Sequence, residues 1–334
     1  MTIDVAVIGY GYWGPNMTRN FAASSQATLR HICDFDESRR ELAAERYPAT
    51  MVGDDFSAVL NDKNVEAVYI ATPAATHYEL TMAALRTGRH VLVEKPMALA
   101  ADDCEKMIEE AVKRNLVLMV DYPFPYSGAV RKLRELCGKD TLGELLYFDS
   151  QRVNLGLFQS DTSVLWDLAP HDLSILTQVT NKRPCAVSAV GIAHFKGKPI
   201  NTAYMNLFYE EAFMAHIHVS WLAPVKLRRT VIAGKKQMVI YDDTHPDEKV
   251  RVYDKGVEPA PNDARHLQIS YRSGDLSVPK LENNEPLAEL ARHFLAVIRG
   301  KEKPLTNIAT GTEVAHILTR AEESITRNGE RLKL

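Results

Sequence analysis

Three groups of residues in this chain have the types and spacing to do chemistry. Lys95 stands between Glu94 and Pro96 after the apolar run Val91-Leu92-Val93, so an ammonium sits where a short buried strand must stop. In an open parallel α/β sheet the ligand crevice lies outside the carboxyl ends of the strands, which turns such an ammonium toward a bound molecule. Pro96 restricts Lys95 to extended backbone angles, and a cis bond at this step costs little and would re-aim the lysine. A solvated strand end is the alternative. The second group, Gly9-Tyr10-Gly11-Tyr12-Trp13-Gly14, is a G-x-G-x-x-G between an apolar strand and a helix. Gly9 permits a tight turn, Gly11 lets backbone N–H groups approach a pyrophosphate, and Gly14 lets helix and strand pack closely. The third is Asp167 with His171, four residues apart and therefore on one face if the segment is helical. That spacing suits a carboxylate orienting an imidazole whose other nitrogen meets a hydroxyl, or an N-capping aspartate followed by a helical histidine.

The elements that must position these groups alternate along the first 120 residues. Strands are expected at Ile3–Ile8, Ala27–Cys33, Met51-Val52, Ala67–Ala71, Val91–Glu94 and Leu116–Val120, with helices over 17–23, 37–47, 56–60, 77–85 and 102–113 between them. Such alternation implies a doubly wound parallel sheet, a Rossmann-type α/β domain over residues 1–122. Asp34 ends the second strand twenty residues beyond Gly14, where this motif places the acid that binds the adenosine ribose and repels a 2′-phosphate. NAD is the expected cofactor. Arg39 and Arg40 leave NADP open, although a solvated helix face suits them better. Thr72-Pro73 forms a turn at another strand end and should border the cofactor, with His77 at the helix entry beside it.

Past residue 122 the pattern changes. Residues 123–334 read as an α+β domain: a helix over 127–137, a strand over 143–153, and strands at 186–193, 204–209, 212–221, 228–232 and 238–241 that make a large, mostly antiparallel sheet. Pro170 is tolerated if its helix begins near Trp166 or Asp167, because first-turn N–H groups have no partner to lose. Asp172 is expected to cap or to face solvent. His216 and His218 alternate on one sheet face without a third ligand nearby, so no metal site is expected. Asp242–Lys255 and Glu258–Asp263 read as loop excursions, and helices over 287–298 and 310–327 finish the chain.

Composition narrows the function classes. The 334 residues are 46% hydrophobic and 25% charged with a formal net charge of -3, an ordinary globular balance without the basic field that nucleic acid requires. The four cysteines lack any C-x-x-C pairing, and no leading signal or long apolar run is apparent, so a reducing, cytoplasmic setting away from membranes is expected.

In their order and spacing, GYGYWG, CDFD, ATPAATHYEL and VLVEKP resemble the glucose-fructose oxidoreductase / inositol dehydrogenase / MocA (Gfo/Idh/MocA) family of two-domain dehydrogenases. The resemblance implies that Lys95 lies at the reaction centre and that Asp167 and His171 are catalytic partner and acid/base. It implies cofactor contacts from Gly9, Gly11, Tyr12, Trp13, Gly14, Asp34, Thr72, Pro73, His77, Glu94 and Lys95, and substrate contacts from Lys95, Tyr126, Arg152, Asn154, Asp167 and His171. The run RVNLGLFQSDTSVLWDLAPHDLS looks like members acting on nucleotide-activated amino sugars, of UDP-N-acetylglucosamine type at C3. Lys226, Arg228 and Arg229 could meet a diphosphate, or simply be solvated. Inositol or a free aldose is the alternative substrate, and an NAD(H)-binding sensor or scaffold without turnover is the rival of another class. Where the family often has Asn-Pro, this chain has Ser127-Gly128. Family members pair through the open face of the second sheet, so a homo-oligomer, dimer or tetramer, is expected.

Overall fold

The apolar runs of the first half become six parallel strands because each is flanked by a helix with one apolar face. In the computed structural model, which describes residues 2–156, 158–159, 162–259, 269–306 and 308–334, these elements are β1 (Ile3–Ile8), α1 (Gly14–Ala23), β2 (Ala27–Cys33), α2 (Glu37–Arg46), β3 (Met51–Gly53), α3 (Phe56–Asn61), β4 (Ala67–Ile70), α4 (His77–Arg86), β5 (His90–Glu94), α5 (Ala101–Lys113) and β6 (Leu118–Asp121). The sheet runs β3-β2-β1-β4-β5-β6 with every pairing parallel. Strand order reverses between β1 and β4, which places the ligand crevice of such a sheet outside their carboxyl ends. The first helix begins at Gly14 rather than Met17: Pro15 sits at its first turn, where a missing N–H costs nothing.

The second unit follows with α6 (Gly128–Gly138), β7 (Leu145–Leu155), α7 (Val164–Thr180), β8 (Ala186–Ile192), β9 (Thr202–Phe208), β10 (Met214–Ser220), β11 (Leu222–Gly234), β12 (Met238–Asp242), β13 (Val250–Pro259), β14 (Ile269–Ser277), α8 (Pro286–Ile298), α9 (Ile308–Thr326) and β15 (Leu332–Lys333). Among the described residues the nine strands lie in the order β14-β13-β12-β11-β7-β10-β9-β8-β15, antiparallel except for β10 against β7. Ala215, Ile217 and Val219 of β10 are fully buried on the face that α7 packs against, while Met214, His216 and His218 alternate to the other.

Two expectations change. The charged stretch after Asp242 is a short turn followed by β13, whose Val250 and Val252 are buried and whose pairing with β14 lends it order that its own charges do not suggest. Residues 260–263 of the second expected excursion lie outside the described residues. Pro170 is interior to α7, since that helix starts at Val164, and so has no N–H to offer the Trp166 carbonyl.

By Cα proximity the first compact unit comprises Met1–Tyr126 together with Asn284–His316, and the second Ser127–Asn283 with Ile317–Leu334. Helix α8 therefore belongs to the first unit: its Leu290 and Phe294 close one sheet face with Val5, Val7, Tyr69, Leu92 and Met119, beside Met17 and Phe21 of α1.

Candidate active site

The glycine turn after β1 is shaped by what a side chain there would strike. Gly9 has φ +93°, and a Cβ on it would lie 2.5 Å from the Ala71 carbonyl oxygen; on Gly14 it would lie 2.0 Å from the Gly9 carbonyl oxygen. Both positions require glycine, and the turn they make delivers the N-terminus of α1 toward the crevice with its unpaired N–H groups. A cavity of about 310 Å³ opens there, lined by Gly9, Gly11, Asp34, Phe35, Arg39, Thr72 and Pro73 among others. Asp34 is fixed in it: the Tyr10 N–H donates to Oδ2 at 2.6 Å and the Asp36 N–H to Oδ1 at 2.9 Å. Beside it, burial and the Asp34 charge push the Cys33 thiol up to about 11.

At the adjacent strand ends His77 is buried between two turns. Its Nε2 lies 2.9 Å from the Thr72 carbonyl oxygen and its Nδ1 2.7 Å from the Pro96 carbonyl oxygen. One imidazole thus ties the turn lining the cavity to the turn carrying Lys95. The Lys95–Pro96 peptide bond is cis, and the Lys95 N–H donates to Glu94 Oε2 at 3.2 Å.

The second unit holds its own cluster on α7. Asp167 Oδ2 accepts from the Trp221 indole Nε1 at 3.0 Å. Phe158 packs on the same indole with centroids 5.4 Å apart, and Gly156 lies against both the indole and the Asn154 amide, so that a Cβ there would touch each. One turn past Asp167 comes half-buried His171, whose carbonyl accepts from Ser174 Oγ at 2.7 Å. The next residue, Asp172, is the anchor. Arg152 Nε donates to its Oδ2 at 2.6 Å and Nη2 to its Oδ1 at 3.2 Å, while Ser150 Oγ donates to Oδ1 at 2.7 Å. Far from capping or facing solvent, Asp172 locks α7 onto β7, because a buried carboxylate must have its charge and lone pairs met.

The two halves of the chain match two models of one family: residues 3–122 match "Oxidoreductase family, NAD-binding Rossmann fold" and residues 130–240 match "GFO/IDH/MocA C-terminal domain". The chain belongs to the Gfo/Idh/MocA oxidoreductase family. Its first unit is the family's NAD-binding domain, and the cavity at Gly9 and Asp34 fits that cofactor. A UDP-N-acetylglucosamine 3-dehydrogenase of Acidithiobacillus ferrooxidans is 33% identical over 204 residues, which cover 60% of this chain and 62% of that protein. A myo-inositol 2-dehydrogenase of Thermotoga maritima is 30% identical over 140 residues, 42% of each chain. The crystal structure of GenD2 from gentamicin A biosynthesis in complex with NAD superposes with a TM-score of 0.85 at 21% identity, over 100% of this chain and 96% of that one, and so shares the fold.

Within this Gfo/Idh/MocA chain the cofactor residues expected from sequence divide. Gly9, Gly11, Asp34, Thr72 and Pro73 line the cavity, His77 bonds the carbonyl of the lining Thr72, Glu94 is buried against Tyr69, and Tyr12 and Trp13 are exposed on the turn with their rings edge to face. Arg39, expected on a solvated face, lines the cavity with Nη1 3.9 Å from Asp34 Oδ2. Arg40 is also not simply solvated, since its guanidinium donates to the carbonyls of Asp34 and Phe35. Sequence reasoning missed Phe35, an exposed aromatic directly after Asp34 that also lines the cavity.

Two of the expected substrate contacts are buried and hold partners within the protein. Arg152 is buried in the Asp172 pair; desolvation is the largest single influence on its proton, but the charge and hydrogen bonds of Asp172, with Tyr241 and Asp243, together outweigh it and hold the guanidinium charged. Tyr126 is buried with its hydroxyl 2.8 Å from His293 Nδ1, a partner no local pattern reveals. Trp221 was not anticipated either, because its partner Asp167 lies 54 residues away. At the linker, Ser127 caps α6 through the Val130 N–H at 3.2 Å, and a Cβ on Gly128 would stand 2.2 Å from the Glu282 carbonyl oxygen, so a proline cannot occupy it. On the outer sheet face His216 and His218 flank Tyr204 as a stack, with His216 Nδ1 2.7 Å from Asp149 Oδ1; among the described residues no cluster of three metal-ligating side chains occurs. No described helix is long and apolar enough to cross a membrane.

Proposed function

We propose that this chain oxidises a secondary alcohol of a sugar, or reduces the matching ketone, with Lys95 and His171 as its polarising and acid/base residues. The observation that carries the reading is the His77 strut, which fixes the turn bearing Lys95 relative to the turn lining the cofactor cavity. When bound, NAD supplies the two-electron acceptor for hydride. Lys95 holds and polarises the carbinol oxygen, His171 removes the hydroxyl proton, and Asp167 orients the imidazole while the Trp221 indole steadies the carboxylate. Asp34 prefers the free ribose hydroxyls, which favours NAD over NADP.

The substrate we favour is a nucleotide-activated amino sugar of UDP-N-acetylglucosamine type oxidised at C3. The Acidithiobacillus relative supports this choice, as does Asn154, which like Trp221 adjoins Gly156 and has an amide that can serve an acetamido or hydroxyl group. The Thermotoga relative keeps inositol as the second substrate class. The outer face of the second sheet, with Tyr147, Tyr204, Val190 and Met214 exposed, is the surface we assign to pairing with a second copy, which light scattering on a sizing column would check.

The test is NADH absorbance on mixing protein and NAD with a panel of UDP-sugars, polyols and aldoses. Lys95→Ala and His171→Ala should still bind NAD yet lose about 100- to 10,000-fold in turnover, the usual worth of acid/base assistance. Absence of reduction with every substrate points to a sensor, and near-normal turnover in both variants refutes the assigned roles.

A further inference from the structure

Next to Lys95 three buried titratable side chains meet. Glu94 and Asp121 end β5 and β6 as register partners, so their carboxyls leave the sheet side by side, on the face of Leu92 and Met119. From β4, Tyr69 reaches both: its Oη lies 2.7 Å from Glu94 Oε1 and 3.1 Å from Asp121 Oδ2. Tyr69 is 0%, Asp121 2% and Glu94 8% exposed, and α8 covers this face.

Counting protons decides what the cluster can be. A tyrosine hydroxyl has one hydrogen and satisfies one carboxylate at a time. The two carboxyls are also within hydrogen-bonding reach of each other, which sets acceptor against acceptor unless one carries a proton. Two ionised carboxylates here would add mutual repulsion to the cost of leaving water. Burial raises both acids, but they are not equivalent. Glu94 is drawn back toward its ionised form by the Tyr69 hydroxyl and by the charge and N–H of Lys95, whereas Asp121 is pushed well above the aspartate range by burial and then by the Glu94 charge. Burial, and then Glu94, keeps the Tyr69 phenol protonated. Tyr126, after β6, feels the Asp121 charge and is bonded in turn to His293 of α8.

We propose that Asp121 is held as a neutral acid whose proton is donated to Glu94, so that the pair presents one negative charge to Lys95. Asp121 and Tyr69 are then positioning residues: acting through Glu94, they fix a single counter-charge for the ammonium. That use of Lys95 rests on the reading above, but the proton arrangement does not.

The test needs neither substrate nor turnover. In full-length protein carrying ¹³C in the aspartate side-chain carboxyl, the infrared spectrum at neutral pH should show a protonated-carboxyl band that shifts with the label and is lost in Asp121→Asn. Acylation of Lys95 by acetic anhydride at fixed pH, read by peptide mass, should change less than about twofold in Asp121→Asn, which keeps the Glu94 charge. It should rise by about tenfold in Asp121→Asn/Glu94→Gln, which leaves no negative charge beside the ammonium. A wild-type spectrum without the label-sensitive band overturns the proposal and requires no variant to fold. So does an acylation rise in the single variant equal to that in the double. Loss of the sugar-oxidation reading, by contrast, would show only in turnover of Lys95→Ala.

Discussion

Removing Arg152 should unlock α7, and the geometry sets the size of the effect. Its side chain and that of Asp172 are 5% and 2% exposed and share two hydrogen bonds, with Ser150 adding a third to the carboxylate. Arg152→Met leaves the Asp172 carboxylate buried without its cation, a loss of about 3–5 kcal/mol. Unfolding entropy for a domain of this length converts that to a melting temperature lower by roughly 6–20 °C. Replacing both partners, as Arg152→Met/Asp172→Leu, removes the stranded charge together with its counter-ion, so most of the stability should return. Urea unfolding followed by tryptophan fluorescence reads the effect in the right place, because Trp166 and Trp221 lie in the second unit and Trp13 in the first. NAD binding, a property of the first unit, should survive in every variant. A single variant that loses under about 1 kcal/mol, or a double variant less stable than either single one, would show that Asp172 is not the anchor described.

Three more outcomes are expected. Gly14→Ala drives a Cβ to 2.0 Å from the Gly9 carbonyl oxygen and should abolish NAD binding by calorimetry while the second unit still melts cooperatively. Asp34→Ala, which removes one of the two acids beside Arg39, should raise NADP affinity relative to NAD by at least about tenfold in fluorescence titrations; an unchanged ratio would remove Asp34 from the ribose site. The folded state raises Asp121 above its ordinary 3.8, through burial and then the Glu94 charge, and so holds that proton more tightly than the unfolded chain does. The associated stability is complete below the ordinary aspartate value and is lost as pH climbs through the raised one, so the urea midpoint of wild type should fall on alkalinisation and that of Asp121→Asn should fall less.

What was legible in the sequence was local. The glycine turn, Asp34 and the β/α alternation announce themselves within a few residues, since strand period, turn residues and helix entry are short-range physics. The same holds for Lys95 at the end of β5. Arg152 with Asp172, Tyr126 with His293 and Asp167 with Trp221 were hidden, because each pair joins positions far apart in the chain and either member alone reads as solvated, aromatic or capping. Arg39 is exposed, as a solvated helix face implies, but that it also borders the cavity was hidden, because on a charged helix nothing distinguishes the arginine that lies next to one. Strand β13 lacks apolar alternation beyond Val250 and Val252 and gains its order from β12 and β14.

The placement of Asn284–His316 with the first unit bears on how the protein is made. A ribosome extending about 5–20 residues per second spends roughly 8–30 s on Ser127–Asn283, and throughout that interval the sheet face bearing Tyr69, Leu92 and Met119 has no α8 to cover it. The nascent nucleotide domain is therefore an adhesive intermediate until the chain doubles back, and a fragment ending at Tyr126 should collect in inclusion bodies unless α8 is supplied.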